Sequence, residues 1–303
     1  MEQHVRTDLH GVGAPQRRHG RLGRRLSPYF LGGPAVLWLA LFFLIPLVTM
    51  LSLSIQTCNS FTFACKLTWH FVEFPDVISR YASTFIRSFM YAGVATVAAL
   101  IVAFPVTYWI AFRAKRKNFF LLMLLVPFFV SFVIRTTAWY TLLADNGAIV
   151  SALKDIHLVP DSFHILATPI AVISGLAYNY LPFTALPLYV ALERIDRRVL
   201  EASGDLYSTR RATFTRVVLP LSVPGIFAAF LLTFVPAAGD YVNAQILGGT
   251  NTVMIGSVIQ KKFLEAGDYP GASALSTVFL VLMLVGIAAY AKFLGSRTIE
   301  EYV

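Results

Sequence analysis

Two charged side chains stand where an otherwise apolar stretch of chain leaves no ordinary place for them: Asp240, followed by Tyr241, and Arg135. A charge at the centre of a bilayer costs about 2.5 to 3.5 kcal/mol on insertion scales, so each must face a cavity or a partner. Two chemistries are open to them. One is a structural ion pair between Asp240 and Arg135. The other makes Asp240 an anchor for a cationic solute, with aromatic faces holding its ammonium groups by cation–π attraction worth up to about 2 kcal/mol when desolvated. Trp139, Tyr140, Tyr178, Tyr180 and Tyr241 are the aromatic candidates, with Asn179 and Asn243 as hydrogen-bonding neighbours, although aromatics near span ends also serve as interfacial belts.

Catalytic constellations are absent from the sequence. There is no Gly-x-x-x-x-Gly-Lys-Ser/Thr phosphate loop, and no lysine is followed by Ser or Thr, so ATP hydrolysis is not expected on this chain. His4, His10, His19, His70, His157 and His164 fall in tails and loops without His-Glu-x-x-His spacing or a Gly-x-Ser-x-Gly nucleophile, so no metal or hydrolase site is expected. Cys58 and Cys65 are the only cysteines. They fall in a loop expected outside the cell, where a disulfide or two free thiols are the alternatives, and two sulfurs alone do not make a metal site.

The elements that must position these groups follow from composition. Of 303 residues 57% are hydrophobic and 14% charged, with a mean hydropathy of +0.67, whereas soluble domains carry about 25% charge. Uncharged runs cover Leu26 to Cys65, Ser88 to Phe112, Ile165 to Leu192, Val217 to Gly239 and Tyr269 to Ala291. Asn118 to Ala144 adds another, interrupted by Arg135 alone. A helix of about 20 apolar residues crosses the hydrocarbon and satisfies its own backbone there. The expected fold is therefore all-α and integral to the membrane, with six transmembrane helices. Tyr241 to Gln260 is also uncharged, but Gly248-Gly249-Thr250-Asn251-Thr252 at its centre is a turn composition that excludes a seventh span. Val253 to Leu264 is expected as a short amphipathic helix.

Basic residues stay in cytoplasmic loops. With the N-terminus inside, most of the 25 Lys and Arg fall on one side, in the tail and in the segments around Arg113 to Lys117, Arg194 to Arg216 and Lys292 to Arg297. Both termini are thus expected to be cytoplasmic. The formal net charge of +9 then reflects topology, and no nucleic-acid partner is expected. The expected organisation is a basic, disordered tail over 1–28, a membrane domain over 29–295 and a short tail over 296–303.

The longest cytoplasmic loop, 191–219, is patterned. Leu192, Ile195, Val199, Ala202 and Leu206 recur at helical spacing, opposite Arg194, Arg197, Arg198, Glu201 and Asp205. Composition alone leaves two readings open, a solvated connector with an Arg197–Glu201 pair or an amphipathic helix lying at the membrane.

Glu201-Ala202-Ser203-Gly204-Asp205-Leu206, then Phe214, then Val218-Leu219-Pro220-Leu221-Ser222-Val223-Pro224-Gly225 resemble the Glu-Ala-Ala loop of ATP-binding cassette (ABC) importer permeases, of the binding-protein-dependent type I class. Leu181-Pro182-Phe183, Gly239-Asp240-Tyr241, Leu247-Gly248-Gly249, Ile255-Gly256, Arg135 and Asn146-Gly147 resemble the spermidine/putrescine branch of that family. Ser203 departs mildly from the pattern. Tyr207 stands where the family has glycine, and a bulky residue at positive φ is costly.

The resemblance implies a type I ABC importer permease fold in the bacterial inner membrane, working by alternating access. It implies a partner ATPase dimer carrying ATP and magnesium, with no cofactor on this chain, together with a second permease and an extracytoplasmic solute-binding protein. Glu201 would be the polar contact to the ATPase, Ala202 and Leu206 the packed surface, and Arg198 and Arg210 flanking charges. Ser203, Asp205 and Tyr207 complete the contact, and Leu219-Pro220 opens the next helix. The rival is an ion-coupled secondary transporter, which would need intramembrane carboxylates and usually repeated halves.

Overall fold

The computed structural model describes the backbone of residues 21–58, 65–67 and 73–300, and the side chains of 33–57 and 74–292. Most of the expected N-terminal tail lies outside the described residues. Helix α1 (Arg21–Leu53) starts ahead of the expected boundary at residue 29, and its segment Gly33–Leu53 is apolar enough to cross a membrane. A hairpin follows, β1 (Gln56–Cys58) antiparallel to β2 (Cys65–Leu67), in a register that sets Cys58 opposite Cys65.

The core is a packing of α2 (Glu73–Phe112), α6 (Pro169–Glu193) and α9 (Leu219–Ala238), with α12 (Tyr269–Glu300) alongside α2. Small residues make this packing close. Ala92, Ala95, Thr96, Ala99, Ala103 and Thr107 recur every three to four residues on α2 and are all buried. In lipid, where the surroundings are as apolar as leucine, close van der Waals contact of this kind drives helices together. The hydroxyls in the stripe are satisfied locally, Thr96 Oγ1 donating to the Ala92 carbonyl at 2.7 Å and Thr107 Oγ1 to that of Ala103 at 2.8 Å. On the α6–α9 seam a Cβ at Gly225 would lie 2.2 Å from Ala191 Cβ, so only glycine permits that approach.

The third expected span, over Asn118 to Ala144, is broken by a bend that the sequence did not announce. Helix α3 (Lys117–Leu125) runs into a 3₁₀ turn (Val126–Phe129), and α4 (Phe132–Leu143) leaves at 90° to it, followed by α5 (Ala148–Asp155). Pro127 contributes no N–H to the turn, and Val130 and Ser131 are extended, with ψ of 138° at each. Among the described residues five helices are thus long and apolar enough to cross, and the bent pair makes six when it is counted as one broken span. Helix α12 continues to Glu300, past the expected limit at 295.

The region expected to turn back rather than cross does so. It holds α10 (Val242–Ile246), a 3₁₀ turn (Thr250–Thr252), then α11 (Ile255–Gln260) with a π turn (Lys261–Glu265). Ser88 Oγ on α2 accepts from the first amide of α11, Ile255 N, at 2.7 Å, which ties this segment to the core.

Candidate functional site

The break between α3 and α4 opens a cavity of about 590 Å³, lined by the turn itself and by residues of α6 and the α9–α10 junction. Its polar wall is a continuous hydrogen-bonded relay. Tyr180 Oη donates to Asp240 Oδ2 at 2.8 Å, Asn243 Nδ2 donates to the same oxygen at 3.0 Å, and the Asn243 amide donates to Asp240 Oδ1 at 2.7 Å. Asn179 Nδ2 donates to Asn243 Oδ1 and to Thr136 Oγ1, both at 2.9 Å. The last bonds tie α4, α6 and α10 together at a single buried point. Asp240, only 6% exposed, ends the α9 segment at the first turn of α10 and satisfies an amide that the helix itself leaves free.

Arg135 lines the same cavity and is 8% exposed, yet it forms no ion pair with Asp240. Among the described residues the ion pairs are Lys117–Glu193 and Lys262–Asp268. The Arg135 guanidinium lies instead over aromatic faces, 4.7 Å from the Phe128 centroid and 5.7 Å from that of Phe132, and its Nε has no hydrogen-bond partner. The structural ion pair left open by the sequence is therefore not made.

The remaining sequence candidates divide. Tyr241 and Asn179 line the cavity with Asp240, Tyr180 and Arg135. Trp139 and Tyr178 do not: they stack on each other at 5.1 Å, and Trp139 Nε1 donates to Ser174 Oγ at 3.2 Å. Tyr140 also lies outside the lining. Phe128 and Phe132 line it and were not singled out, and Phe183 was named only for the family resemblance, since single phenylalanines out of 25 in an apolar chain give no signal of a pathway.

The second candidate surface is the loop after α6. Helix α7 (Arg197–Asp205) is started by Asp196, whose Oδ1 accepts from Arg198 N at 2.9 Å, and α8 (Arg210–Thr213) by Thr209, whose hydroxyl accepts from Ala212 N at 3.2 Å. Because the Asp196 cap restarts the helix, the phase expected through Leu192, Ile195, Val199, Ala202 and Leu206 is broken. Leu192 and Ile195 are buried, but Val199, Ala202 and Leu206 face outward, and the face turned inward carries Leu200 and Ser203. Leu200 packs beside Ile195, Val218 and Ile110, and Ser203 Oγ bonds Thr213 Oγ1 at 2.9 Å, locking α7 to α8.

Glu201, Ala202, Asp205, Leu206, Arg198 and Arg210 are all exposed. At the corner, Tyr207 has φ 54°, with Ser208 N donating to the Ser203 carbonyl at 3.2 Å and Tyr207 N to that of Gly204 at 3.0 Å. This is the left-handed helix ending that glycine usually supplies. The tyrosine adopts it without packing against the rest of its own chain, the residue being 97% exposed. Leu219 and Pro220 open α9 through a π turn (Phe214–Val218).

Apolar helices long enough to cross a bilayer, an aromatic cavity with one polar wall, and a capped elbow exposing both charged and apolar residues are the features of a membrane-embedded subunit. The chain belongs to the family of binding-protein-dependent transport system inner membrane components, whose pattern matches residues 107–298. It is 34% identical over 274 residues to the spermidine/putrescine transport system permease protein PotB of Haemophilus influenzae, covering 87% of this chain and 93% of that one. It is 31% identical to PotB of Escherichia coli, covering 88% and 96%. A bacterial ABC transporter that imports the acidic polysaccharide alginate contains a chain of the same fold, with a TM-score of 0.68 at 20% identity over 91% of this chain and 99% of that one. The protein is a multi-pass inner-membrane permease of the type I ABC importer fold.

Proposed function

We propose that this permease is one half of the membrane core of an ABC importer for polyamines or related small cationic solutes. The observation that carries the substrate class is Asp240, a buried carboxylate without a cationic partner, set in the wall of an aromatic-lined cavity at a helix break. The names of the PotB relatives support the same class. A polyamine would bring what the wall lacks, an ammonium donor for the carboxylate and a cation for the rings.

The coupling elbow takes the other role. Glu201, Ala202, Leu206 and Tyr207 form an exposed, partly apolar surface on a short helix that is capped and cross-bonded, and a rigid element of this kind transmits a push where a loose linker cannot. Its partner is a cytoplasmic ATPase dimer that holds ATP and magnesium. Closure of that dimer would tilt the helices and alternate access to the cavity. A second permease completes the pathway, and an extracytoplasmic solute-binding protein delivers substrate to the outer loops. Both termini lie in the cytoplasm.

The test is purification with and without Glu201→Lys, followed by spermidine uptake into vesicles. The importer predicts that an ATPase co-purifies with the native chain, that the substitution releases it, and that uptake requires ATP. Uptake by the lone chain driven by an ion gradient would overturn this assignment.

A further inference from the structure

The cavity already contains a cation. Phe128, Phe183, Tyr180 and Phe132 form a run of successive ring contacts, with centroids 5.1 Å apart for Phe128–Phe183, 6.1 Å for Phe183–Tyr180 and 5.9 Å for Tyr180–Phe132. Within this run, Tyr180 is bonded to Asp240. The Arg135 guanidinium lies over the two end rings of the run. This is an odd place for it to stay. Its Nε is buried without an acceptor, although a carboxylate lines the same cavity, and the donors of a buried guanidinium are costly to leave unmade.

We propose that Arg135 is a tethered occupant of a cation-binding aromatic box, a built-in competitor that an incoming ammonium group must displace. The proposal rests on the cationic-solute reading above and adds a mechanism of selection to it. Asp240 is held by three neutral donors rather than by Arg135, so its charge stays uncompensated, and with acceptor capacity left it attracts a second cation into the cavity. A ligand with one small charge can occupy only the carboxylate or the box. A chain bearing several ammonium groups can take both at once, and so can expel the guanidinium.

Two arms test this on the purified complex. In the first, Arg135→Ala empties the box, and ethylguanidinium, which reproduces the lost end group, should raise the melting temperature of that variant at millimolar concentration. It should leave the native complex and the Arg135→Ala/Phe128→Ala double variant unmoved. Equal shifts in all three, or no shift in any, would overturn the box. In the second arm, Arg135→Met keeps side-chain length and packs among rings, which covers the case in which the alanine variant does not assemble. With the competitor removed, its KM for spermidine uptake should fall about tenfold, the scale of one desolvated cation–π contact. A KM unchanged or raised in an intact complex would show that Arg135 is no competitor. If the native complex takes up no polyamine, the substrate class fails, and the thermal arm still decides the box by itself.

Discussion

At the scale of single residues the chain makes two unusual commitments. Asp240 keeps a buried carboxylate held in position by donors from Tyr180 and Asn243. Asp240→Asn removes the charge while preserving shape, with its Oδ1 still accepting from Asn243 N and its Nδ2 able to donate to Tyr180 Oη, at the loss of the bond from Asn243 Nδ2. A charge-assisted hydrogen bond is worth about 1.5 to 3 kcal/mol, so the KM for a polyamine should rise about tenfold or more while recovery of the assembled complex stays at native levels. Uptake kinetics unchanged from native would place the substrate elsewhere. Tyr207 is the second commitment. Its left-handed backbone costs about 1 to 2 kcal/mol for a residue with a Cβ, a penalty that glycine largely avoids at some cost in chain entropy. Tyr207→Gly should therefore slow amide exchange over 203–208 in the free permease. Because the ring is fully exposed and tyrosine is a frequent anchor at interfaces, the same change should weaken ATPase association in a pull-down. Faster exchange together with unchanged association would refute both halves.

At the scale of elements, glycines separate close approach from open surface. Gly225 on α9 faces Ala191 on α6 with no room for a methyl group, whereas Gly204 on α7 has nothing within 4 Å of its missing Cβ. Gly225→Ala should lower the melting temperature, since overpacking a seam costs about 1 to 3 kcal/mol. Gly204→Ala should raise it slightly, since alanine gains about 0.8 to 1.0 kcal/mol over glycine in a helix interior. Equal effects from the two would mean that the α6–α9 contact is looser than the backbone indicates.

The crossings were legible in sequence because runs of uncharged residues longer than a bilayer's thickness have few other readings. The break in the third was not. Pro105, Pro182, Pro187, Pro224 and Pro236 all sit inside unbroken helices, so Pro127 gave no reason to expect a bend. The face of α7 was misphased for a similar reason. A periodicity extended from Leu192 overlooks that Asp196 caps a new helix and resets the count. Asp240 and Arg135 were legible as charges out of place, whereas their neighbours Phe128 and Phe132 were indistinguishable from lipid-facing phenylalanines until the bend gathered them with Phe183.

At the scale of the whole molecule the open quantity is handedness across the membrane. The crossings alternate, so one loop fixes all the others. Retention of Lys and Arg on the cytoplasmic side would set residues 113–117 and 194–216 inside, and hence the Cys58–Cys65 hairpin, the loop after α5 and the α10–α11 segment outside. Thr215 and Ser162 are exposed and lie on opposite sides of this arrangement. With both native cysteines changed to serine, a membrane-impermeant maleimide applied to intact spheroplasts should label Ser162→Cys at once, and Thr215→Cys only after permeabilisation. The unaltered chain adds an independent reading. Its hairpin register sets the two cysteines opposite each other in what would be an oxidising compartment, so a disulfide should form and the native protein should resist the reagent until reduced. The inverse labelling pattern would move the elbow out of the cytoplasm, where no ATPase could reach it, and the coupling mechanism would have to be abandoned along with the orientation.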